Sequence, residues 1–334
     1  MSLQALVTGG AGFIGSHLVE RLLRDGHRVR VVDNFATGRR DNLAGCLDHP
    51  ALEVAAADVA DFPRLRPLMD GVDWVFHLAG LADIVPSIRE PLAYHAANVD
   101  GTQGVAEAAR LAGVARVVYA ASSTRYGLPD RVPTPETAPP RPMFPYALTK
   151  HLGEEILLAW HRIYRLPVLS LRLFNVYGPR SRTSGAYGAV FGVFLAQKLA
   201  GKPFTVVGDG RQTRDFTYVT DVVEAMVLAA RSDRAGECFN VGSGGTYSIN
   251  ALVDLLGGPA VHLPRRPGEP DCTFADTRRI RAALGWEPRV PFPEGVARML
   301  EHIELWRQAP VWEPPAVLEA TRDWFRILGK EGSA

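Results

Sequence analysis

A tyrosine and a lysine in the stretch "PYALTKHLGEEILLAW" have the spacing of a proton-transfer pair. Tyr146 and Lys150 are four residues apart in a segment with helical periodicity, so their side chains share one face about one turn apart. A cation beside a phenol favours the phenolate and lowers the tyrosine pKa from about 10 towards working pH. The pair predicts Tyr146 as a base, although the same spacing also occurs where a half-buried tyrosine merely neighbours a solvated lysine.

Two small hydroxyl side chains follow a strand-like run upstream of this pair. The run "RVVYAAS" leads into "STRYG", which places Ser122 and Thr124 at the C-terminal end of a strand. Doubly wound proteins bind their ligands at that edge of the sheet. Hydroxyl residues are also common turn formers, so these two positions alone leave both interpretations open.

A glycine cluster opens the chain in "LVTGGAGFIGSHLVERLL". Gly9, Gly10, Gly12 and Gly15 lie where an apolar strand gives way to a helical pattern, and glycine lets a backbone turn sharply and be approached closely. The free N–H groups and positive dipole end of the following helix would then face a phosphate. The spacing G-x-x-G-x-x-G indicates a phosphate site, although it also fits a plain tight turn.

An acidic residue ends the next strand, "RVRVVD". A carboxylate at Asp33 would accept hydrogen bonds from the adenosine ribose and repel a 2′-phosphate, which favours NAD over NADP. Arg39 and Arg40 follow on a polar loop, where solvation is the stronger interpretation than a 2′-phosphate contact. Asp58, after "LEVAAA", either reaches the adenine or caps the helix expected in "ADFPRLRPLM".

The apolar periodicity of the sequence indicates the strands and helices that would position these residues. Residues 1–175 alternate short apolar runs with helical patterns such as Phe13–Arg24, Ala93–Ala112 and Tyr146–Arg165. Alternating strands and helices predict an α/β fold with a doubly wound parallel sheet, a Rossmann domain. Residues 176–334 are richer in glycine and proline, with short helical patterns between them, and predict a smaller, loop-rich second lobe of mixed structure.

Composition limits the partners that the chain can have. The 334 residues carry 37 Lys and Arg against 36 Asp and Glu, so no global basic field attracts nucleic acid or anionic lipid. Three cysteines without a CxxC pattern argue against a disulfide framework and a zinc site, and no metal is expected. No apolar run approaches the ~20 residues of a membrane span and no leader pattern is seen, so we expect a cytoplasmic protein.

The motifs occur in one order that resembles a known family. "VTGGAGFIGSH", "VVDNFATG", "HLAG", "NVDGT", "ASSTRYG", "YALTK", "RLFNVYGPR", "GDGRQTRDFTYVTD", "FNVGSG" and "RRPGEPDCTFAD" together resemble the extended short-chain dehydrogenases/reductases. The similarity is greatest to nucleotide-sugar epimerases of the UDP-glucose 4-epimerase type. It implies bound NAD and a UDP-hexose substrate held mainly by the C-terminal substrate lobe at 176–334. It also implies that later segments near 214–242 return to the Rossmann domain, and that a homodimer forms through the helices at 93–112 and 146–165.

The resemblance also implies roles for individual residues. Tyr146 would take the sugar hydroxyl proton, Lys150 would hold the nicotinamide ribose, and Ser122 would bond the sugar oxygen. The cofactor site it implies comprises Gly9, Gly12, Phe13, Ile14, Gly15, Asp33, Asn34, Asp58, Val59, Leu78, Ala79, Gly80, Asn98, Tyr146 and Lys150. The substrate site it implies comprises Ser87, Ser122, Thr124, Tyr146, Asn175, Arg214, Arg266, Glu269 and Thr273, with Asn175 and Arg214 on the diphosphate and Arg266 and Glu269 on the nucleoside ribose.

Three departures from the family pattern bear on the reaction. Ala82 stands where close relatives have a lysine on the cofactor ribose, and Glu269 stands where the family usually has Asp. Residues 123–125 read Ser-Thr-Arg, without the carboxylate that dehydratases and decarboxylases place there. The resemblance therefore favours epimerisation at C4. A net dehydrogenase or reductase, a dehydratase, and a catalytically silent NAD-bound regulatory protein remain the alternatives.

Two further expectations concern the C-terminal half. Counting from Arg266 places Thr273 at a position that decides in relatives whether an N-acetyl sugar fits, and a small residue predicts tolerance of N-acetylated substrates unless Phe274 fills the space. The aromatic tail "LWRQAPVWEPPAVLEATRDWFRILG" should dock back onto the protein, with a short helix presenting Leu318, Trp324 and Phe325, because exposed aromatics would aggregate.

Overall fold

A computed structural model describes residues 2–181 and 189–329 of the chain. Its strands are β1 (Gln4–Thr8), β2 (Arg28–Asp33), β3 (Leu52–Ala56), β4 (Trp74–His77), β5 (Arg116–Ser122), β6 (Val168–Leu173), β7 (Val176–Tyr177), β8 (Phe204–Val207), β9 (Thr213–Arg214), β10 (Thr217–Tyr218), β11 (Glu237–Val241), β12 (Tyr247–Ser248) and β13 (Ala260–Leu263). Its α-helices are α1 (Phe13–Arg24), α2 (Phe62–Leu65), α3 (Ile84–Arg89), α4 (Pro91–His95), α5 (Gly101–Ala112), α6 (Pro145–Tyr164), α7 (Val190–Leu199), α8 (Val219–Arg231), α9 (Ile249–Leu256), α10 (Arg278–Leu284), α11 (Phe292–Glu301) and α12 (Pro314–Leu328).

Seven parallel strands form the central sheet in the order β11-β6-β5-β4-β1-β2-β3. Every residue of β5 and β6 is buried, as expected where helices cover both faces of a parallel sheet. The strand order reverses beside β1, where open α/β sheets bind their ligands. The predicted α/β, doubly wound fold is confirmed.

The helices that carry the sequence motifs lie close to their predicted positions. Helix α1 spans the predicted Phe13–Arg24, and α6 begins one residue earlier and ends one residue earlier than expected. The region predicted as one helix at Ala93–Ala112 is helical throughout, but a π-helical turn at Ala96–Asp100 joins α4 to α5. A π-helical turn closes i→i+5 hydrogen bonds and so takes one residue more than an α-helical turn, and the predicted α-helical period of 3.6 residues does not include that insertion.

Two later segments lie against the main sheet. Strand β11 pairs with β6 at the sheet edge, from Glu237 beside Leu169 to Val241 beside Leu173. Helix α8 packs against α1 and against β5 and β6. Residues near 214–242 therefore contribute an edge strand and a covering helix to the same layer structure as residues 1–175.

The smaller lobe surrounds a second apolar core rich in aromatic rings. Tyr177 stacks on Phe191 with ring centroids 4.6 Å apart, and Phe216 stacks on Phe292 at 5.0 Å. Two-stranded pairs, β13 with β8, β12 with β9 and β10 with β7, frame this core. The smaller lobe thus combines helices with short two-stranded pairs, which is the mixed structure expected of it.

The aromatic tail docks onto this second core. Trp306, Val317 and Trp324 are each at most 4% exposed, and they join the same buried cluster. The expectation for Leu318 is wrong, because that side chain is 43% exposed. Val317, Thr321 and Trp324 recur at four and three residues and define the buried face of α12, which turns Leu318 to solvent.

Among the residues that the structure describes, no helix combines the length and the apolar character that crossing a bilayer requires.

Candidate active site

The glycine loop brings the start of α1 to the end of β1. Gly9 has φ +68°, and a Cβ there would lie 2.8 Å from the backbone nitrogen of Ala79. A Cβ on Gly15 would collide with the carbonyl oxygen of Gly9. Gly12 caps α1 without a side-chain bond, so the N–H groups of Phe13 and Ile14 at the helix start have no intrahelical acceptor. The cradle fits a pyrophosphate, because bare N–H groups and a helix dipole meet where no side chain intrudes.

Asp33 lies at the end of β2 beside this loop. Its carboxylate accepts hydrogen bonds from the backbone N–H groups of Ala11 (2.9 Å) and Phe35 (2.8 Å). Burial raises the pKa of Asp33, and the two backbone hydrogen bonds oppose that rise. A Cβ on Gly38 would lie 2.8 Å from both carboxylate oxygens. The carboxylate is therefore fixed at the position where the sequence predicts a ribose contact.

Asn34 and Asp58 lie together at the same edge. The Asn34 side-chain amide donates to Asp58 Oδ2 at 2.8 Å, and Asp58 Oδ1 accepts from the Ala60 N–H at 2.9 Å. The alternative in which Asp58 caps the next helix is wrong, since Asp61 occupies the N-cap of α2 and accepts from the Arg64 N–H. The following Val59 is buried.

The segment after β4 is held by the side chains of Thr8 and Asn98. Thr8 Oγ1 accepts from the N–H groups of Leu78 and Ala79, both at 3.2 Å. Asn98 Oδ1 accepts from the Leu81 N–H at 2.8 Å, and Asn98 Nδ2 donates to the Leu81 carbonyl at 3.0 Å. A Cβ on Gly80 would lie 2.6 Å from Asn98 Oδ1. Asn98 thus shapes the predicted cofactor segment by holding its backbone.

The hydroxyl groups expected at the reacting centre lie together at the end of β5. Ser122 Oγ and Thr124 Oγ1 are 2.8 Å apart, and Ser122 Oγ also accepts from the Thr124 N–H. Tyr146 lies half-buried in the first turn of α6. Burial raises the pKa of Tyr146, whereas its hydrogen bond with Ser122 lowers that pKa. The structure therefore joins Ser122, Thr124 and Tyr146 in one hydrogen-bonded group.

Lys150 lies one turn further along α6 and is 8% exposed. Its Nζ lies 4.2 Å from the centroid of the Tyr119 ring, a cation–π contact. Burial lowers the pKa of Lys150 to about 7. The Tyr119 ring stacks on His77, which lies between the hydroxyls of Thr8 (2.8 Å) and Thr102 (2.9 Å). Burial and the charge of Lys150 lower the pKa of His77 to about 3, so His77 is neutral there.

A buried ion cluster beneath these residues was not found from the sequence. Glu154, fully buried on α6, bonds Arg172 Nη2 at 2.8 Å and Ser170 Oγ at 2.7 Å, and also Arg125. Arg172 reaches Tyr126 Oη at 2.8 Å. Glu154 follows Lys150 at the spacing that separates Lys150 from Tyr146, and that helical repeat is the signal that could have indicated it.

The two predicted diphosphate ligands lie on different elements, with Asn175 just after β6 and Arg214 in β9. The Thr273 hydroxyl donates to Asn175 Oδ1 at 2.7 Å. The residue predicted to decide whether an N-acetyl sugar fits therefore bonds a predicted diphosphate ligand. Arg214 is buried, and its guanidinium donates to Glu269 Oε1 at 2.7 Å and to the Pro270 carbonyl at 2.9 Å. Arg214 and Glu269, predicted for different parts of the substrate, are direct partners.

A cavity of about 480 Å³ lies beside the loop 265–269, and its wall includes Leu128, Arg266, Glu269 and Phe325. It brings together the predicted nucleoside residues and a residue of α12. The predicted Ser87 is fully buried on α3 and donates its hydroxyl to the carbonyl of Ile84 at 2.6 Å. Ser87 therefore anchors its own helix in this arrangement.

One group of metal-ligating side chains is present among the described residues, namely His151, Glu154 and Glu155 on α6. Glu154 already balances two guanidinium groups, and Glu155 is 47% exposed at its side chain. Because the Glu154 carboxylate is already paired with Arg125 and Arg172, this group does not favour binding of a metal cation.

Fold and site together define a dinucleotide-binding enzyme of the short-chain dehydrogenase/reductase type. The model of the NAD dependent epimerase/dehydratase family matches residues 5–242. The chain belongs to this family. The predicted family, enzyme class and cofactor, NAD, are thereby confirmed.

Individual relatives are similar along nearly the whole chain. UDP-glucose 4-epimerase of Mycolicibacterium smegmatis is 39% identical over 308 residues, 90% of this chain and 98% of that protein. UDP-glucuronic acid decarboxylase 1 of Arabidopsis thaliana is 35% identical over 309 residues, 89% of this chain and 69% of that protein. The structure of UDP-glucose 4-epimerase from Thermotoga maritima, solved with UDP-glucose, has a TM-score of 0.85 at 34% identity and covers 90% of this chain and 99% of that one.

Proposed function

We propose that the protein interconverts the C4 epimers of a UDP-hexose, with NAD as a tightly bound cofactor. The observation that carries this proposal is the hydrogen-bonded group of Ser122, Thr124 and Tyr146 beside the buried Lys150, at the sheet edge that also carries the glycine loop. The similarity to UDP-glucose 4-epimerases over most of the chain supports the choice of reaction.

Each side chain has a defined task in this reaction. Tyr146, as the phenolate, takes the proton of the C4 hydroxyl and returns it to the keto oxygen in the second half of the cycle. Ser122 lowers the pKa of Tyr146 and bonds the same sugar oxygen. The Lys150 ammonium favours the phenolate by its charge. NAD supplies the hydride acceptor and donor for the sugar carbon when bound.

The glycine loop and Asp33 would hold the cofactor. The loop would offer N–H groups to the pyrophosphate, and the Asp33 carboxylate beside it would accept hydrogen bonds from the adenosine ribose hydroxyls. Asn175 and Arg214 would hold the substrate diphosphate, and Arg266 with Glu269 would hold the nucleoside ribose. Because hydride leaves and returns in one cycle, the reaction consumes no added NAD.

Decarboxylation is the second candidate, because UDP-glucuronic acid decarboxylases are among the relatives. The segment between Ser122 and Tyr126 supplies no carboxylate, and the Arg125 side chain there is buried against Glu154. Epimerisation needs no further acid or base at that place, so the arrangement favours it. A net dehydrogenase would consume added NAD, and a silent regulatory protein would turn over no nucleotide sugar.

The experiment that tests the proposal compares Tyr146→Phe with Tyr164→Phe, a matched change at a 49% exposed tyrosine of the same helix. With UDP-glucose as substrate, Tyr146→Phe should lower kcat about 10²–10⁴-fold while NAD content and Tm stay near wild type. Tyr164→Phe should behave as wild type. Retention of more than about a tenth of kcat in Tyr146→Phe would contradict the assignment.

Tolerance of an N-acetyl group belongs to the same proposal. Thr273 is small and partly buried beside Asn175, so wild type should turn over UDP-glucose and UDP-N-acetylglucosamine within about a hundredfold in kcat/KM. Thr273→Tyr should suppress the N-acetylated substrate selectively. If Thr273→Tyr does not suppress the N-acetylated substrate selectively, or if wild type never turns it over, this interpretation of the pocket fails.

The proposal extends to assembly and location. Leu148 and Ile163 on α6 are 45% and 65% exposed, and Leu111 at the end of α5 is 47% exposed. These apolar side chains lie on the two helices expected at a two-fold interface, so we place the homodimer contact there. Cys46, Cys238 and Cys272 are all free thiols, which suits the reducing cytoplasm.

A further inference from the structure

Helix α12 contacts three segments of the candidate site, although it lies outside residues 5–242 that the family model matches. On α3, Arg89 Nε donates to Asp323 Oδ2 at 2.8 Å, and its Nη2 donates to the Ala320 carbonyl at 3.1 Å. The other two segments are the loop 265–269 and the residues that precede α6. The tail thus contacts both lobes.

Trp324 makes the contacts to these two segments. It is 4% exposed, and its indole Nε1 donates to the Pro267 carbonyl at 2.8 Å. The Arg266 guanidinium lies 5.5 Å from the centroid of its ring, and the Phe144 ring lies at 6.0 Å. Phe144 in turn is nearly parallel to the ring of Tyr146, with centroids 6.5 Å apart and an angle of 8°. The Trp324 indole therefore contacts both the loop 265–269 and Phe144, the ring that lies parallel to the predicted base Tyr146.

The loop has little room to move between α12 and the segment before α6. Gly268 has φ +69°, and a Cβ there would lie 2.9 Å from Met143 Cε and 3.7 Å from Leu328 Cδ1. Phe325, the neighbour of Trp324, is partly buried and lines the 480 Å³ cavity together with Arg265, Arg266 and Glu269. A flat apolar face next to charged donors and a carboxylate suits a nucleoside diphosphate, and in the proposed UDP-sugar the base is a pyrimidine.

We propose that α12 completes the nucleotide-sugar site, with Phe325 as an aromatic wall against the pyrimidine nucleoside and Trp324 as a positioning residue. This inference rests on the proposed function, because it takes a UDP-sugar as the ligand of the cavity. Trp324 acts through two routes: its N–H holds the loop 265–269, and its ring supports Phe144 behind Tyr146.

The first test measures binding without turnover. Calorimetric titration of the NAD-loaded protein with UDP should give a Kd about tenfold higher for Phe325→Ala than for wild type. Leu318→Ala is the matched control, since Leu318 lies on the same helix but is exposed. An unchanged Kd for UDP in Phe325→Ala would overturn the role of Phe325.

The second test separates the two routes through Trp324. Trp324→Phe keeps a ring against Phe144 and Arg266 but deletes the bond to Pro267, so KM should rise several-fold with kcat unchanged. Trp324→Leu also removes the ring, so kcat should fall as well, and the pH profile of kcat should shift because Tyr146 loses its support. Equal effects of the two substitutions on kcat would overturn the positioning role.

A buried tryptophan elsewhere in the tail distinguishes this role from simple stability. Trp306→Phe, at a residue 1% exposed in the same aromatic core, should lower Tm without changing KM or the Kd for UDP. A KM change in Trp306→Phe as large as in Trp324→Phe would overturn the inference. If wild type neither binds UDP nor turns over UDP-glucose, the proposed function fails; if it does both and the α12 variants match it, only this inference fails.

Discussion

The amino group of Lys150 is buried beside the Tyr119 ring. Because burial disfavours its charged form, the folding stability of the protein should depend on pH. The pKa of Lys150 is lowered to about 7 in the folded protein, against about 10.4 in an unfolded chain. Between these values the unfolded chain binds a proton that the folded chain does not, so stability rises with pH from about 7 to about 10.

Lys150→Met lacks this proton, so the two proteins should diverge with pH. In cofactor-free protein, the unfolding free energy of wild type minus that of Lys150→Met should increase by up to about 1.4 kcal/mol per pH unit above pH 7. Urea denaturation at several pH values between 6 and 9 measures it. Lys202→Met, at a side chain 51% exposed, should stay parallel to wild type. Parallel curves for Lys150→Met would contradict the low pKa.

Glu154 is the sole carboxylate described between the guanidinium groups of Arg125 and Arg172. Glu154→Gln would leave two buried positive charges without a counter-charge, and such a loss typically costs about 3–5 kcal/mol. We expect urea denaturation to show a loss of that order. Glu155→Gln, the exposed neighbour, should change the unfolding free energy by less than about 0.5 kcal/mol. Similar small effects in both variants would mean that the cluster contributes little to stability.

Residue types and spacing predicted the pair Tyr146 and Lys150, because four residues on one helix define a common face. They did not predict that Arg125 and Arg172 meet Glu154, or that Arg214 bonds Glu269. Those contacts join residues 18 to 55 positions apart in the chain, and only the packed sheet and lobe bring them together. The sequence predicted a lowered pKa for Tyr146, whereas in the structure burial raises that pKa and the hydrogen bond with Ser122 opposes the rise.

At the scale of elements, the glycine loop allows a controlled comparison. Gly9 and Gly26 both have positive φ, +68° and +82°, but only at Gly9 would a Cβ meet other atoms, the backbone of Ala79. Both Gly→Ala substitutions strain the backbone, so both should lower Tm. Only Gly9→Ala should also weaken NAD binding, by tenfold or more, because the loop must shift. Equal NAD affinity in the two variants, measured by fluorescence titration, would contradict this role of the loop.

Element boundaries were predictable where apolar periodicity and local chemistry agree. Helix α1 follows a glycine turn and ends as the apolar stripe ends, and both limits were predicted from the sequence. The cap of α2 was not, because Asp58 and Asp61 are equally good N-cap residues by type; in the structure Asp61 caps the helix, and Asp58 instead bonds Asn34 and the Ala60 N–H. Competing local signals of equal strength are decided by tertiary contacts.

At the scale of the whole molecule, the proposed homodimer predicts a defined response to charge. Wild type should be a dimer by light scattering at micromolar concentration. Replacing both Leu148 and Ile163 by Arg should give a folded monomer, because unpaired like charges would face each other across a two-fold axis. Ile327→Arg, at a 47% exposed residue of α12, should remain a dimer. A monomeric wild type would contradict the proposed assembly.

The position of β11 makes the order of synthesis matter. Strand β6 pairs with β5 on one side and with β11 on the other, and the chain reaches β11 after β7 to β10 of the smaller lobe. While the chain emerges from the ribosome, β6 therefore exposes a row of unpaired backbone groups until Val241 has been made, and such open edges recruit other strands. A fragment that stops at residue 175 would keep that edge for its whole lifetime, so we expect the nascent protein to depend on chaperones most between the synthesis of β6 and of β11.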